Sequence, residues 1–199
     1  MKNIEFTPEE IYKKRKELGI DTSIRTLLEI AESSKDQSKR KLAIQYLRSF
    51  EKISDSLKEE CFDALEHIIV SDKAIKLKCE AATSLGKLKI EMGLEPLKWL
   101  LDQSEMDYES RKTVLRAIHG CRFEKPEIKL FLTYIDSPYK TIKNYVKNTL
   151  LNLGPETAID IFLDFLEQNI SDVAKKELIN LIGYEISGLN VSFDGNSFL

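Results

Sequence analysis

The chain has 199 residues, of which 42% are hydrophobic and 32% are charged, and this balance predicts a folded core and excludes a disordered polypeptide. Its 30 Lys and Arg residues oppose 33 Asp and Glu residues, so the net charge of −3 provides no overall positive field to attract nucleic acid. No apolar run approaches the roughly 20 residues of a membrane-spanning helix, and the first residues lack the pattern of a signal peptide. We therefore expect a cytoplasmic protein that contacts neither nucleic acid nor a membrane.

Proline and glycine residues mark the ends of the predicted helices along the chain. The segment Thr7–Glu10 has the pattern of a capping box, which predicts a helix that runs to about Leu18 and stops at Gly19. A second helix is expected over residues 21–33. Further helix starts are predicted at the other four prolines, which are Pro96, Pro126, Pro138 and Pro155.

An internal repeat organises most of the chain. A basic residue recurs near the start of five first helices, at Arg40, Lys78, Arg111, Lys143 and Lys175. Apolar residues follow three and seven positions later in every copy, which predicts one buried and one solvated face for each helix. A second helix with apolar residues at three- and four-residue spacing follows each of the first four copies. We therefore predict helical hairpins, each a first helix followed by a second helix, that bury their apolar faces by stacking.

The repeat also predicts the domain organisation. We expect one all-α domain over residues 1–185, in which residues 1–35 form a degenerate N-terminal cap and residues 36–184 form the repeats. The last helix is expected to run from Ser171 to Tyr184. Residues 186–199 are expected to form a C-terminal tail or strap, and a frayed end or a small hairpin around Asp194–Gly195 are the alternatives.

One repeat unit resembles a known family. Its first helix, Ile75–Leu88, contains a basic residue, the paired alanines Ala81 and Ala82 and a Leu-Gly step, and Gly93–Leu101 has the Leu-x-Pro-Leu-x-x-Leu-Leu pattern. These segments resemble HEAT-like repeats of the short kind found in phycobilisome-lyase-type proteins. The resemblance covers roughly residues 36 to 184 and implies a right-handed α-α superhelix, a solenoid of about five to six hairpins. It also implies a scaffold or adaptor whose second helices line a concave surface, and it specifies the fold rather than an activity.

The sequence lacks the constellations of residues that are typical of enzymes. Cys61, Cys79 and Cys121 form no Cys-x-x-Cys pair, so they are expected to be buried apolar residues rather than disulfides or zinc ligands. Neither His67 nor His119 precedes a glutamate, whereas the di-iron hydroxylases with HEAT-like helices need several His-Glu pairs. We therefore expect a non-catalytic protein without a metal or cofactor. A bilin-lyase-like enzyme or enzyme subunit and a self-assembling structural module are the alternatives.

Acidic residues dominate the outward positions of the second helices, whereas lysines accumulate on the first helices, among them Lys41 and Lys76. This sorting predicts an acidic concave face that binds a partner protein or peptide, with a basic partner as its natural complement. Trp99 is the candidate anchor, because Trp is enriched among binding hot spots. The alternative is a solvated helix face without a binding role. The candidate partner-binding residues are Asp63, Glu66, His67, Glu95, Trp99, Asp102, Asp136, Asp160, Asp164 and Glu167.

Overall fold

The computed structural model describes residues 6–50, 52–122, 124–153, 155–168 and 170–193. Within these ranges the chain forms twelve α-helices and one short 3₁₀-helix, with no strand, which confirms the all-α prediction. None of these helices combines the length and the hydropathy that crossing a bilayer requires. The chain divides into two compact units, residues 1–122 and residues 123–199.

The first unit begins with the predicted capping box. The Thr7 side chain accepts a hydrogen bond from the Glu10 amide at 3.3 Å, and the Glu10 carboxylate accepts one from the Thr7 amide at 2.8 Å. The predicted first helix is interrupted at Lys14, and Gly19 then stops it with a φ of +85°. The α-helices of this unit are α1 (Pro8–Lys13), α2 (Arg15–Leu18), α3 (Ile20–Ser33), α4 (Gln37–Leu47), α5 (Asp55–Ser71), α6 (Ile75–Leu88), α7 (Leu94–Leu101) and α8 (Tyr108–Cys121).

These helices pack as two neighbouring rows. The first-helix row consists of α4, α6 and α8, and the second-helix row consists of α3, α5 and α7. The apolar positions of the repeat are buried as predicted, including Ala43, Leu47, Ala81, Leu85 and Ile118 in the first-helix row. The close helix pairs are α3 with α4, α5 with α6 and α7 with α8, so each second helix forms its hairpin with the first helix that follows it. The predicted hairpins have the opposite order.

The recurring basic residues explain this pairing. Nε of Arg40 donates a hydrogen bond to the Ala31 carbonyl near the end of α3, and the Lys78 ammonium lies 3.5 Å from the Val70 carbonyl near the end of α5. Arg111 donates to three carbonyls at and beyond the end of α7, those of Leu101, Gln103 and Met106. The last carbonyls of a helix lack intrahelical partners and carry negative partial charge. In the first unit, therefore, these three basic residues each tie a first helix to the second helix before it.

Helices α6 and α8 approach each other more closely than side chains would ordinarily allow. A Cβ atom on Gly86 would lie 2.7 Å from the Cα and carbonyl oxygen of Ala117, and a Cβ on Gly120 would lie 2.7 Å from the Gly86 carbonyl oxygen. Backbone therefore packs against backbone at this crossing. The contact sets the distance between α6 and α8.

The second unit contains α9 (Lys125–Leu132), α10 (Lys140–Leu150), α11 (Pro155–Leu166) and α12 (Asp172–Phe193). Here too α9 pairs with α10 and α11 with α12, while Lys147 on α10 binds Glu177 on α12 at 2.6 Å. The predicted end of the last helix at Tyr184 is wrong, because α12 continues to Phe193. Apolar residues still recur at three and four positions through Ile182, Ile186, Leu189 and Phe193, and a helix tolerates an internal glycine at a cost of about 1 kcal/mol. The Asp194–Gly195 turn lies outside the described residues.

Candidate partner-binding surfaces

The structure places six predicted binding residues on two neighbouring helices of the second-helix row, with side chains that are exposed or half-buried. We call this set the acidic face, and it consists of Asp63, Glu66 and His67 on α5 together with Glu95, Trp99 and Asp102 on or just after α7. Arg25 on α3 binds Glu60 on α5 through two hydrogen bonds of 2.8 and 2.9 Å, which links α3 to the same row. The predicted acidic surface is therefore built on packed helices rather than on loops.

The Trp99 side chain is partly exposed, and one part of it contacts Lys78. Its relative exposure is 41%, whereas Lys78 beneath it is only 6% exposed. The Lys78 ammonium lies 5.2 Å from the centroid of the Trp99 ring, within the range of a cation–π contact. One part of the indole thus covers a buried cation, and the remainder faces solvent between Glu95 and Asp102.

One ion pair and one histidine–glutamate contact leave the acidic face largely negative. Lys98 pairs with Glu95 at 3.1 Å along α7, and the Nδ1 atom of His67 lies 3.4 Å from Glu32. Both pairs are largely exposed to solvent, where such interactions contribute about 0–1 kcal/mol. Asp63 and Asp102 add exposed carboxylates to the same surface.

In the second unit, local contacts engage two of the four predicted acidic residues. Asp164 on α11 lies 3.7 Å from the ammonium of Lys125 and 3.6 Å from that of Lys129, both on α9. Asp136 accepts a hydrogen bond from the Ser171 hydroxyl. Asp160 and Glu167 are exposed on and just beyond α11.

The two leucines next to these acidic positions have different environments. Leu132 is buried, with 1% relative exposure. Leu163 is 47% exposed. An apolar strip that includes both residues is therefore not present on the surface.

A groove of about 950 Å³ lies in the first-helix row of the first unit, and sequence reasoning did not identify it. Its floor contains Gly86, Ala117 and Gly120, the small residues of the α6–α8 crossing, together with Cys79 and Thr83. We call this site the basic groove. Its charged lining residues are Lys41, Arg48, Lys76, Glu80, Lys87, Lys89, Asp107, Glu109 and Arg116.

The acidic residues of the basic groove are all occupied by neighbours. Glu80 pairs with Lys41 at 3.5 Å and with Arg48 at 3.1 Å, and it also accepts a hydrogen bond from Gln45. Asp107 caps α8 by accepting from the Ser110 amide at 2.7 Å. Glu109 lies 3.8 Å from the ammonium of Lys112. Cations of the protein therefore balance the charges of Glu80 and Glu109, and the cap of α8 engages Asp107.

Three groove lysines have no such neighbour. Lys76, Lys87 and Lys89 are exposed and form no ion pair with any residue in the described ranges. The lining as a whole contains six cationic and three acidic side chains, although the chain itself is net negative. The groove therefore presents a local positive potential.

The three cysteines offer little nucleophilic chemistry. Burial raises the pKa of Cys61 and that of Cys121 to about 12, so both remain thiols at neutral pH. Burial also raises the pKa of Cys79, which is half-buried on the groove floor and bonded to Ser110. Among the described residues, no group of three or more His, Cys, Asp and Glu side chains is arranged to hold a metal ion.

No protein-family model matches the chain, and no curated protein is significantly similar to it in sequence. Its function is therefore inferred from the geometry and charge of the acidic face and the basic groove.

Proposed function

We propose that the chain is a HEAT-like helical-repeat module, an adaptor without catalytic activity, that holds a basic partner protein or peptide on its acidic face. The helix rows support this proposal, because packed helices present side chains on a rigid platform. Binding by repeat proteins of this kind relies on broad surfaces built from successive helices.

The single observation that carries the proposal is the setting of Trp99. A large aromatic side chain with 41% exposure is fixed from below by Lys78 and bordered by carboxylates. A partly exposed, pre-positioned Trp loses little conformational freedom on binding and supplies a large apolar contact. Surrounding carboxylates would steer a cationic partner toward it and speed the encounter.

Charge reversal on the acidic face tests the proposal. The variant Asp63→Lys with Glu95→Lys changes two exposed residues and should leave stability within about 1 kcal/mol of wild type, since surface changes are usually small. Trp99→Ala is less suitable, because it also uncovers the buried ammonium of Lys78. A matched control, Glu17→Lys with Asp21→Lys, makes the same change in charge on α2 and α3, outside the acidic face.

The measurement is affinity capture from the source-cell lysate, followed by mass spectrometry and a salt titration. We expect wild type and the control to retain a basic partner that the Asp63/Glu95 variant loses, and the interaction to weaken as salt rises. Capture of the same proteins by all three forms would contradict a binding role for the acidic face.

A further inference from the structure

The basic groove has the features of a second binding site, distinct from the acidic face. It lies in the first-helix row, between α4, α6 and α8, whereas the acidic face lies on α5 and α7. Its volume of about 950 Å³ is at the upper end of the range for ligand sites, large enough for several side chains. We propose that the groove binds a short acidic peptide segment that also carries apolar side chains.

The charge of the lining selects an anionic occupant. All three groove carboxylates have cationic or amide partners, while Lys76, Lys87 and Lys89 have no ion-pair partner in the described ranges. Lys87 and Lys89 lie at the end of the groove where α6 finishes. Carboxylates of a bound segment would complete the charge balance there.

The floor and the opposite end of the groove favour a peptide over a nucleic-acid backbone. Cys79, Thr83 and Ala117 present sulfur and methyl groups, which suit apolar side chains rather than phosphates. Asp107 and Glu109 line the end at which α8 begins, so the groove is not lined by cations along its whole length, as a phosphate chain would favour. A peptide can instead place its acidic residues toward Lys87 and Lys89 and its apolar residues along the floor.

The backbone of Lys89 provides an independent observation. Its φ of +53° is in the left-handed region, and Lys89 is the only residue other than glycine with a positive φ in the described ranges. The Lys89 amide bonds to the Gly86 carbonyl and the Ile90 amide to the Leu85 carbonyl, the helix ending in which glycine is normally preferred. Lys89 therefore adopts a left-handed conformation that costs free energy in a non-glycine residue. Its ammonium group adds positive charge to the rim of the groove.

A selection from a library of random short peptides, displayed against the full chain, tests the proposal. We expect the enriched peptides to combine Asp or Glu with apolar residues. Lys87→Glu with Lys89→Glu should weaken their binding by about tenfold or more. The matched control, Lys16→Glu with Lys35→Glu, has the same net charge but alters exposed residues outside the groove and should bind as wild type does.

Two further variants separate specific docking from general electrostatics. Thr83→Phe fills the floor without a change in charge and should also weaken binding, whereas Thr26→Phe on α3 removes the same kind of hydroxyl-to-carbonyl bond elsewhere and should not.

Lys89→Gly should raise the denaturation midpoint, because glycine relieves the left-handed conformation, and yet lower the affinity for the peptide. Opposite signs for stability and affinity would identify Lys89 as a binding residue rather than a structural one.

Alkylation of Cys79 gives a direct footprint of the groove. Its thiol is half-buried on the floor, while Cys61 and Cys121 are buried elsewhere, so a bound peptide should slow the modification of Cys79 alone. The proposal fails if no acidic peptide is enriched, or if enriched peptides bind the Lys87/Lys89 and Thr83 variants as tightly as wild type. It also fails if a single-stranded oligonucleotide, or a second copy of the chain, occupies the groove more tightly with the same dependence on these variants.

Discussion

In the first-helix row of residues 1–122, the charged residues that define the repeat bind the backbone of the protein itself. Arg40, Lys78 and Arg111 donate to carbonyls near or just beyond the end of the preceding helix. In the second-helix row, repeated acidic positions such as Asp63 and Glu95 remain exposed. Charged residues recur in both rows. Only in the first-helix row do the recurring residues form hydrogen bonds that hold helices together. A charge that recurs in a repeat is therefore evidence for function only after its burial and its partners are known.

Removal of the basic residue that binds the most carbonyl groups should have the largest effect. Arg111→Met keeps an unbranched apolar stem but removes the guanidinium hydrogen bonds to the carbonyls of Leu101, Gln103 and Met106, although the Gln103 carbonyl still accepts from the Met106 amide. We expect the free energy of unfolding to fall by about 2–4 kcal/mol, as measured by urea denaturation. Arg116→Met, on the exposed side of the same helix, should cost less than about 1 kcal/mol. Equal losses for the two variants would show that the recurring basic residue is only a surface feature.

The close crossing of α6 and α8 should respond to a single methyl group. Gly86→Ala brings a Cβ to 2.7 Å from the Ala117 backbone, which cannot yield as a flexible side chain would, so we expect a loss of about 1–3 kcal/mol. Gly183→Ala is the matched control in α12, because a Cβ there meets no atom within 4 Å and should stabilise the helix by up to about 1 kcal/mol. Stabilisation by both substitutions in thermal and urea unfolding would contradict the backbone contact that spaces the first-helix row.

The buried thiols of both rows should make the free energy of unfolding fall at alkaline pH. Folding raises the pKa of Cys61 on α5 and of Cys121 on α8 from 9.0 to about 12, so the native state retains protons that the unfolded chain loses. Stability from each thiol is complete below about pH 9 and declines as pH rises toward 12, by at most about 1.4 kcal/mol per pH unit. Cys61→Ala and Cys121→Ala should each flatten the dependence of the unfolding free energy on pH between about 9 and 11. An unchanged slope in both variants would mean that the thiols ionise normally in the native protein.

Local patterns in the sequence predicted much of this fold. The capping box at Thr7, the stop at Gly19 and the buried positions Ala81 and Leu85 depend on neighbouring residues and on helical periodicity, and the structure confirms them. The extension of α12 to Phe193 was not predicted, because the repeat pattern ends near Tyr184 whereas the apolar spacing along the helix continues.

The basic groove depends on contacts that no local pattern contains. Lys41 and Lys76 were recognised as part of a basic helix row, but the groove exists because Gly86 and Gly120 set the distance between α6 and α8. That contact joins two helices that are about 30 residues apart in the sequence. The sequence indicated it only through small residues near the ends of the two helices. The acidic positions were easier to predict, since exposed helix positions follow from periodicity alone.

The smallest predicted effect distinguishes exposed from engaged acidic residues in the second unit. Asp160→Lys changes an exposed residue and should alter the free energy of unfolding by no more than about 0.5 kcal/mol. Asp164→Lys replaces the partner of Lys125 and Lys129 with a third cation, and we expect an additional loss of about 0.5–1 kcal/mol that diminishes in high salt. Urea denaturation at low and high salt measures both changes. If Asp160→Lys proves the more damaging of the two, its predicted position on the exposed side of α11 is wrong.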